Sequence, residues 1–355
     1  MKIISLMSGT SLDGVDIAYC NFIKSGDAQY EFDLINAKTY KYTPEINEQL
    51  NGAIHYNSFD YLKFDKELGF IYGEIINQFV KEFNIDKKDV NLIASHGHTI
   101  HHQPKKFVTS QIGHGTAIAI NTGLKVINDF RIKDVLLGGQ GAPLVPVGDK
   151  LLFSSYADGF LNIGGISNIS FEKNNIVYAF DVCPGNLPSN HYVAERNLIY
   201  DKNGEIASRG KVNENVKDEL NQLNFYKQNY PKSLGIEWLI SDFYPILDSK
   251  NLTLEDKLAT INEHIAKQIS LIIKRNNIKK LLITGGGAYN NDLISRIKRN
   301  SDSEIIIPDK KIIEFKEAII FGLLGALYEE KRMNSLSSVT GSKRDSIGGI
   351  LHTPF

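Results

Sequence analysis

A chain of 355 residues is long enough for about two domains, each with a sizeable core. Its 40 Lys and Arg against 41 Asp and Glu leave a net charge of -1, which excludes a basic nucleic-acid-binding field and an acidic tail. Cys20 and Cys183 are too few for a disulfide framework, and no apolar run nears the roughly 20 residues of a membrane span. We therefore expect a soluble protein of a reducing, cytoplasmic compartment, with no nucleic-acid and no membrane partner.

Residues 2–7 are an apolar run of β-formers, 8–11 a small-residue turn and 15–22 a second strand. A tight turn of Ser8, Gly9, Thr10 and Ser11 exposes consecutive backbone N–H groups, a concavity suited to phosphate oxygens. Asp13 and Asp16 follow at once, and carboxylates beside phosphate call for a hard cation such as Mg²⁺, or ordered water, between them. The same residues also suit an ordinary β-hairpin turning at Asp13-Gly14.

Residues 30–42 read as a third strand, 70–83 as an amphipathic helix, 90–95 as a buried strand, 113–121 as a short helix and 125–128 as a strand. That order is an α/β layered domain. Residues 129–146, with three Gly and two Pro, read as a crossing between domains or a cleft-lining loop, with Arg131 and Asp134 as its ligand contacts.

The opening layout then recurs as strands at 159–163, 166–171 and 176–180, with Gly164-Gly165 at the first turn. A helix is expected over 187–200. Residues 225–241 are mixed, with Trp238 as core or as a lid. Thr253 caps a strong helix over 254–276, which feeds a buried strand at 280–284 and then Gly285, Gly286 and Gly287. A helix from Asn290, a strand at 304–307 and a helix at 317–330 follow, with Gly322 and Gly325 on a face fit for another helix. The tail 335–355 reads as a loop or a short closing element.

Asp181 stands at the end of a predicted strand, where a carboxylate held by rigid backbone can take a proton from a hydroxyl or water, or can cap the turn that follows. Cys183 suits a buried structural thiol better than a nucleophile. His96 and His98 fall on one side of an extended segment, which suits hydrogen bonding to a sugar-like ligand and leaves a zinc or manganese site open.

Nine stretches, in order and over nearly the whole chain, carry a resemblance. They are MSGTSLDGVD (7–16), SHGHTIHHQP (95–104), QIGHGTAIAINTG (111–123), NDFRIKDVLLGGQGAPLVP (128–146), LNIGGISN (161–168), FDVCPGN (180–186), PKS (231–233), TGGGAYN (284–290) and KEAIIFGLLG (316–325), with Asp13 and Asp16 inside the first. Together they resemble the anhydro-N-acetylmuramic acid kinase family of the sugar kinase, heat-shock protein and actin ATPase superfamily.

That resemblance implies a two-lobed actin-like ATPase fold, each lobe a mixed five-stranded sheet with helices, and an ATP cleft between lobes. It assigns 1–128 with about 330–355 to the N-terminal lobe and 129–329 to the C-terminal lobe. The implied reaction opens the 1,6-anhydro bond of anhydro-N-acetylmuramic acid and phosphorylates O6, with ATP and Mg²⁺, during cell-wall recycling. It places the base on Asp181 and the nucleotide contacts on Gly9, Thr10, Ser11, Asp13, Gly164, Gly165, Gly285, Gly286 and Gly287. Sugar contacts fall on His96, Thr99, Arg131 and Glu317, and Mg²⁺ comes with ATP, near Asp13 or Asp16 through water. The chain departs from the family's usual residues at His98, His114, Val182, Cys183 and within 187–191, all on the presumed sugar side. A kinase for another amino sugar without ring cleavage, a substrate-sensing ATP-binding protein and a homodimer stay open.

Overall fold

Short apolar runs, continuous in the central strands and alternating in the third, build twelve strands among the described residues. They are β1 Lys2–Ser8, β2 Val15–Lys24, β3 Tyr30–Tyr40, β4 Leu92–Gln103, β5 Val108–Ile112 and β6 Val126–Asn128, then β7 Gly159–Ile163, β8 Ile166–Lys173, β9 Ile176–Pro184, β10 Lys280–Thr284, β11 Glu304–Ile306 and β12 Ile350–His352. The computed structural model describes residues 1–9, 12, 14–26 and 29–355. These form two units, Met1–Leu152 with Phe315–Phe355, and Phe153–Glu314.

In the first unit the sheet order is β12-β6-β4-β1-β2-β3, with β5 added to the far end of β4. β1, β2 and β3 form an antiparallel meander, while β4 and β6 run parallel to β1. The second unit repeats that plan: β9-β8-β7 is an antiparallel meander and β10 and β11 run parallel to β7. In each unit the longest helix lies between the meander and the fourth strand of the plan. These are Ser58–Glu82, capped by Asn57, and Leu254–Asn276, capped by Thr253 and closed by left-handed Asn277. The repeat read weakly from side chains is therefore plain in strand order.

Each unit buries its own core. In the first, Ile4, Leu6, Ile17, Leu68, Tyr72 and Ile76 are buried together. In the second, Leu161, Ile163, Ile261, Ile265, Ile269 and Leu281 are. Trp238 is half-buried and packs against the edge of this second core beside Phe225 and Phe243.

Four expectations change. The first sheet has seven strands, not five, because β4 continues to Gln103 and pairs with β5, and β12 in the tail adds an edge. Residues 129–152 and 315–329 belong to the first unit rather than the second. Asp134 explains part of this: fully buried, it accepts from Ser335 Oγ at 2.9 Å, Thr340 Oγ1 at 2.7 Å and the Gly141 N–H at 2.8 Å, which ties the loop to the tail and removes Asp134 from ligand contact. The helix Lys310–Glu329 lays Gly322 against Phe22 and Ser5, and Gly325 against Ala94 and Leu92. Those glycines thus let the helix approach the sheet, not another helix. Among the described residues no helix is long and apolar enough to cross a membrane.

Candidate active site

In the second unit three glycine-bearing segments converge beyond the ends of β7 and β10. The Asn186 N–H donates to Gly164 O at 2.8 Å, and the Gly185 and Leu187 N–H groups donate to Gly165 O at 2.9 and 3.2 Å. Gly285 follows β10 with a φ of 80°, and a Cβ there would meet Asn162 Oδ1 at 2.5 Å and Ile163 O at 2.7 Å. A Cβ at Gly287 would fall on the Ile163 side chain, whereas Gly165 and Gly286 are exposed. Asn186 Nδ2 donates to Ile163 O at 3.3 Å and crosslinks the segments. Such a side-chain-free concavity admits phosphate oxygens close to backbone.

Asp181 lies within β9, which runs on to Pro184 instead of stopping at Phe180. Its neighbour across the ladder is Asn168 on β8, next to a bulge at Ser167 and Asn168. A strap of residues 230–234 holds it from the other edge. Tyr230 stacks on Phe180 at 4.6 Å, the Asp181 N–H donates to Lys232 O at 3.0 Å, and the Leu234 N–H donates to Asp181 Oδ2 at 2.8 Å. Burial raises the Asp181 carboxyl above the ordinary aspartate value, and the Leu234 bond opposes that rise. Among the described residues Oδ1 accepts no hydrogen bond, which leaves it for a proton donor from outside the chain. The sequence reading missed Leu234, because a backbone donor has no side-chain signature; only the PKS stretch before it marked the place.

Cys183, two residues on, is fully buried with Sγ against Ile265 O, and burial pushes its thiol far above the ordinary range. It is structural.

In the first unit His96 and Arg131 are locked together. Arg131 Nε and Nη2 donate to His96 Nε2 at 3.0 and 2.8 Å, Arg131 Nη1 donates to Gly141 O at 2.7 Å, and His96 Nδ1 lies 2.9 Å from Gly97 O. An Nε2 that accepts from Arg131 belongs to a neutral ring with its proton on Nδ1, and burial together with Arg131 holds the His96 pKa well below its ordinary value. His96 is 4% exposed and presents little surface of its own, and its Nε2 is turned to Arg131. Burial lowers Arg131 to about 10, with Glu317 opposing.

Glu317 keeps solvent access while protein crowds its carboxyl. That desolvation raises its pKa, Arg131 and Lys316 pull it down, and Asp16 adds to the rise. Asp16 itself accepts from Thr39 Oγ1 at 2.5 Å. Thr99 is half-buried beside Gln111, whose Nε2 lies 3.4 Å from its Oγ1. Gly9 follows β1 directly, and Thr10, Ser11 and Asp13 lie outside the described residues. His98 Nδ1 is 2.8 Å from Ser8 Oγ, which also accepts from Tyr42 at 2.6 Å, so the imidazole serves an internal chain of hydrogen bonds. Among the described residues no group of three His, Cys, Asp or Glu stands where a metal ion could be held, and the paired-histidine reading of His96 and His98 gives way to these internal partners.

The family model for anhydro-N-acetylmuramic acid kinase matches residues 1–354. The anhydro-N-acetylmuramic acid kinase of Bacillus thuringiensis subsp. konkukian is 32% identical over 382 residues, covering 100% of each chain. That of Hydrogenovibrio crunogenus is 34% identical over 366 residues, covering 99% of this chain and 98% of its own. Among solved structures, the activator of the 2-hydroxyisocaproyl-CoA dehydratase from Clostridium difficile, with bound ADPNP, has a TM-score of 0.46 and 14% identity over 93% of this chain and 96% of its own.

Proposed function

Because the chain belongs to the anhydro-N-acetylmuramic acid kinase family, and so is an ATP-dependent phosphotransferase, we propose that it opens 1,6-anhydro-N-acetylmuramic acid with water and phosphorylates the freed O6. The observation that carries this reading is Asp181, fixed on β9 by the Leu234 N–H through Oδ2, with Oδ1 accepting no hydrogen bond among the described residues. In the reaction Oδ1 takes the proton of a water whose oxygen bonds to C1 as the C1–O6 bond breaks. O6 bonds to the γ-phosphorus as the bond from that phosphorus to the β,γ-bridging oxygen breaks, giving the 6-phosphate and ADP. A partly buried carboxylate is a stronger base than an exposed one, so its raised pKa favours the proton transfer so long as it is ionised.

Gly164, Gly165, Gly285, Gly286 and Gly287, with Gly9, Thr10, Ser11 and Asp13, are the proposed nucleotide contacts. Arg131 and Glu317 pair a cation and an anion for the polar groups of the sugar, with His96 behind Arg131 and Thr99 as a further sugar contact. Mg²⁺ arrives with ATP and neutralises its phosphate charge. The half-buried hard oxygens of Asp16 suit contact to it through water.

The test uses ¹⁸O-water, ATP and the anhydro sugar, with mass spectrometry locating the label. One solvent oxygen at C1 and none in the transferred phosphate is the expected result. A phosphorylated product that keeps the 1,6-anhydro bond and takes up no solvent oxygen would mean a plain sugar kinase in which the same carboxylate deprotonates a free hydroxyl.

A further inference from the structure

Lys232, the middle residue of the PKS stretch, serves the strap over Asp181 through both its backbone and its side chain. Its carbonyl accepts the Asp181 N–H at 3.0 Å, and two residues on, the Leu234 N–H donates to Asp181 Oδ2 at 2.8 Å. Its side chain reaches the short helix Asn224–Lys227. There Nζ donates to Phe225 O at 3.1 Å and stands over two rings, 4.2 Å from the centre of Phe225 and 5.8 Å from that of Tyr226. Those rings are themselves held. Phe225 is buried against Trp238, and Tyr226 OH lies 2.7 Å from Nε2 of buried His264 on the helix Leu254–Asn276.

Residues 228–235 form no helix or strand, so no ladder of backbone hydrogen bonds fixes the segment that grips Asp181. Its upstream tie is the Tyr230 ring, stacked flat on Phe180. Its tie at the grip itself is Lys232. Folding takes this ammonium partly out of water, and burial lowers its pKa below the ordinary lysine value. The ring faces and the Phe225 carbonyl compensate, because the negative face of an aromatic ring attracts a cation more strongly as both lose solvent. The other ionisable groups within electrostatic reach are Arg275, which repels the ammonium, and Cys183, which burial keeps as a neutral thiol. The aromatic seat is therefore what sets where the Lys232 side chain lies.

We propose that Lys232 is a positioning residue for the base: its ammonium, seated on Phe225 and Tyr226, sets the strap at the place where the Lys232 carbonyl and the Leu234 N–H grip Asp181, and so aims Oδ1. This rests on the reading of Asp181 as the base. Lys232 itself is assigned no contact to substrate.

The test compares Lys232→Met, which keeps an unbranched stem and loses the charge, with Lys232→Arg, which keeps a cation able to stack on the rings. Releasing the strap weakens the Leu234 bond that opposes the effect of burial on Asp181. In Lys232→Met the Asp181 carboxyl should therefore titrate at a higher pH than in wild type, followed by NMR on carbon-labelled aspartate and assigned against Asp181→Asn. We also expect kcat with the sugar to fall about a hundredfold, the scale of a misplaced contact, with the sugar KM and the ADP affinity unchanged. Lys232→Arg should restore the midpoint and most of the rate. A lysine that only stabilises the fold would lower the melting temperature and move neither the midpoint nor kcat, and that result overturns the proposal. So does either quantity left at its wild-type value in Lys232→Met, a loss carried by KM instead of kcat, or a Lys232→Arg protein that titrates like Lys232→Met. If Lys232→Met fails to fold, Lys232→Gln, also uncharged, is put through the same measurements with the same criteria. The titration needs no sugar, so it judges the lysine even if the wild-type protein proves not to act on the anhydro sugar.

Discussion

Arg131 places two of its guanidinium N–H groups on one acceptor, Nε2 of His96, at 3.0 and 2.8 Å. A ring that accepts twice at one nitrogen has to stay neutral, and a positive charge there would also repel the guanidinium. The edge of the Phe321 ring, 4.6 Å away, gives it no freedom to turn. His96→Leu leaves buried Arg131 donors unsatisfied, a cost of about 1–3 kcal/mol. We expect a lower urea midpoint and a sugar KM raised roughly tenfold, the scale of one misdirected charged hydrogen bond, with the KM for ATP unchanged. A sugar KM equal to wild type in the folded variant would mean that His96 does not orient Arg131 for the sugar.

Much of this was legible in the sequence, and what was not has physical causes. The helix Leu254–Asn276 and the strand β10 were read to the residue, since a capping Thr253, an apolar stripe and a following glycine are all local signals. β5 was missed because Val108–Ile112 becomes a strand only by pairing with an extension of β4, and β4 was read as ending at Ser95 because polar side chains follow. The loop's local signals point to Arg131 and Asp134 alike, yet Asp134 is a fully buried acceptor within the fold. Its partners Ser335 and Thr340 lie some two hundred positions on, where no local pattern points. The Leu234 donor to Asp181 is likewise a long-range contact.

Two glycines in the second unit separate binding from folding. At Gly164 a Cβ would meet only Asn162 Nδ2 at 3.6 Å and Ile166 O at 3.7 Å, ordinary contacts, so Gly164→Val should fold and weaken nucleotide binding by crowding a phosphate. At Gly285 the φ of 80° and the Ile163 carbonyl at 2.7 Å make Gly285→Ala strained whatever binds, at a cost of about 1–2 kcal/mol or more. Calorimetry with a non-hydrolysable ATP analogue and thermal melting distinguish the two. Equal nucleotide affinity in folded Gly164→Val would remove that turn from the nucleotide site.

Buried neutral histidines set the acid stability. Burial lowers His98 to about 4 and His264 to about 3, and His96 lies well below its ordinary value. Below about pH 6.5 the unfolded chain binds protons at these positions that the folded chain refuses, so stability falls as the pH drops toward the folded values. For His98 alone the loss is about 1.4 kcal/mol for each pH unit over that window. His98→Gln keeps a hydrogen-bonding partner for Ser8 and removes one titration, so its urea midpoint should fall less than wild type between about pH 7.5 and 5. Parallel pH profiles would show that His98 does not stay neutral in the fold.

Asp181 should cost the protein stability while it provides the chemistry. Its carboxyl is raised by burial, so the folded state penalises the ionised form. The contribution present below the ordinary aspartate value is lost as pH rises through the folded one, and at neutral pH the penalty is fully in force. Asp181→Asn removes that charge and keeps an oxygen for the Leu234 N–H, so at pH 7 its melting temperature should equal or exceed that of wild type. An amide cannot take a proton from water, so C1 hydrolysis and O6 phosphorylation should fall together, by about 10²–10⁴-fold. In the wild type, kcat/KM should drop on the acid side at a higher pH than an ordinary aspartate would give, because the base must be ionised to act. Asp181→Glu, whose carboxylate is carried a methylene further, should keep a small part of the rate and lose about a hundredfold. Melting curves, steady-state rates and product analysis on the three proteins settle the matter: an Asp181→Asn protein that melts lower than wild type, or that still turns over near its rate, would contradict the role given to this carboxylate.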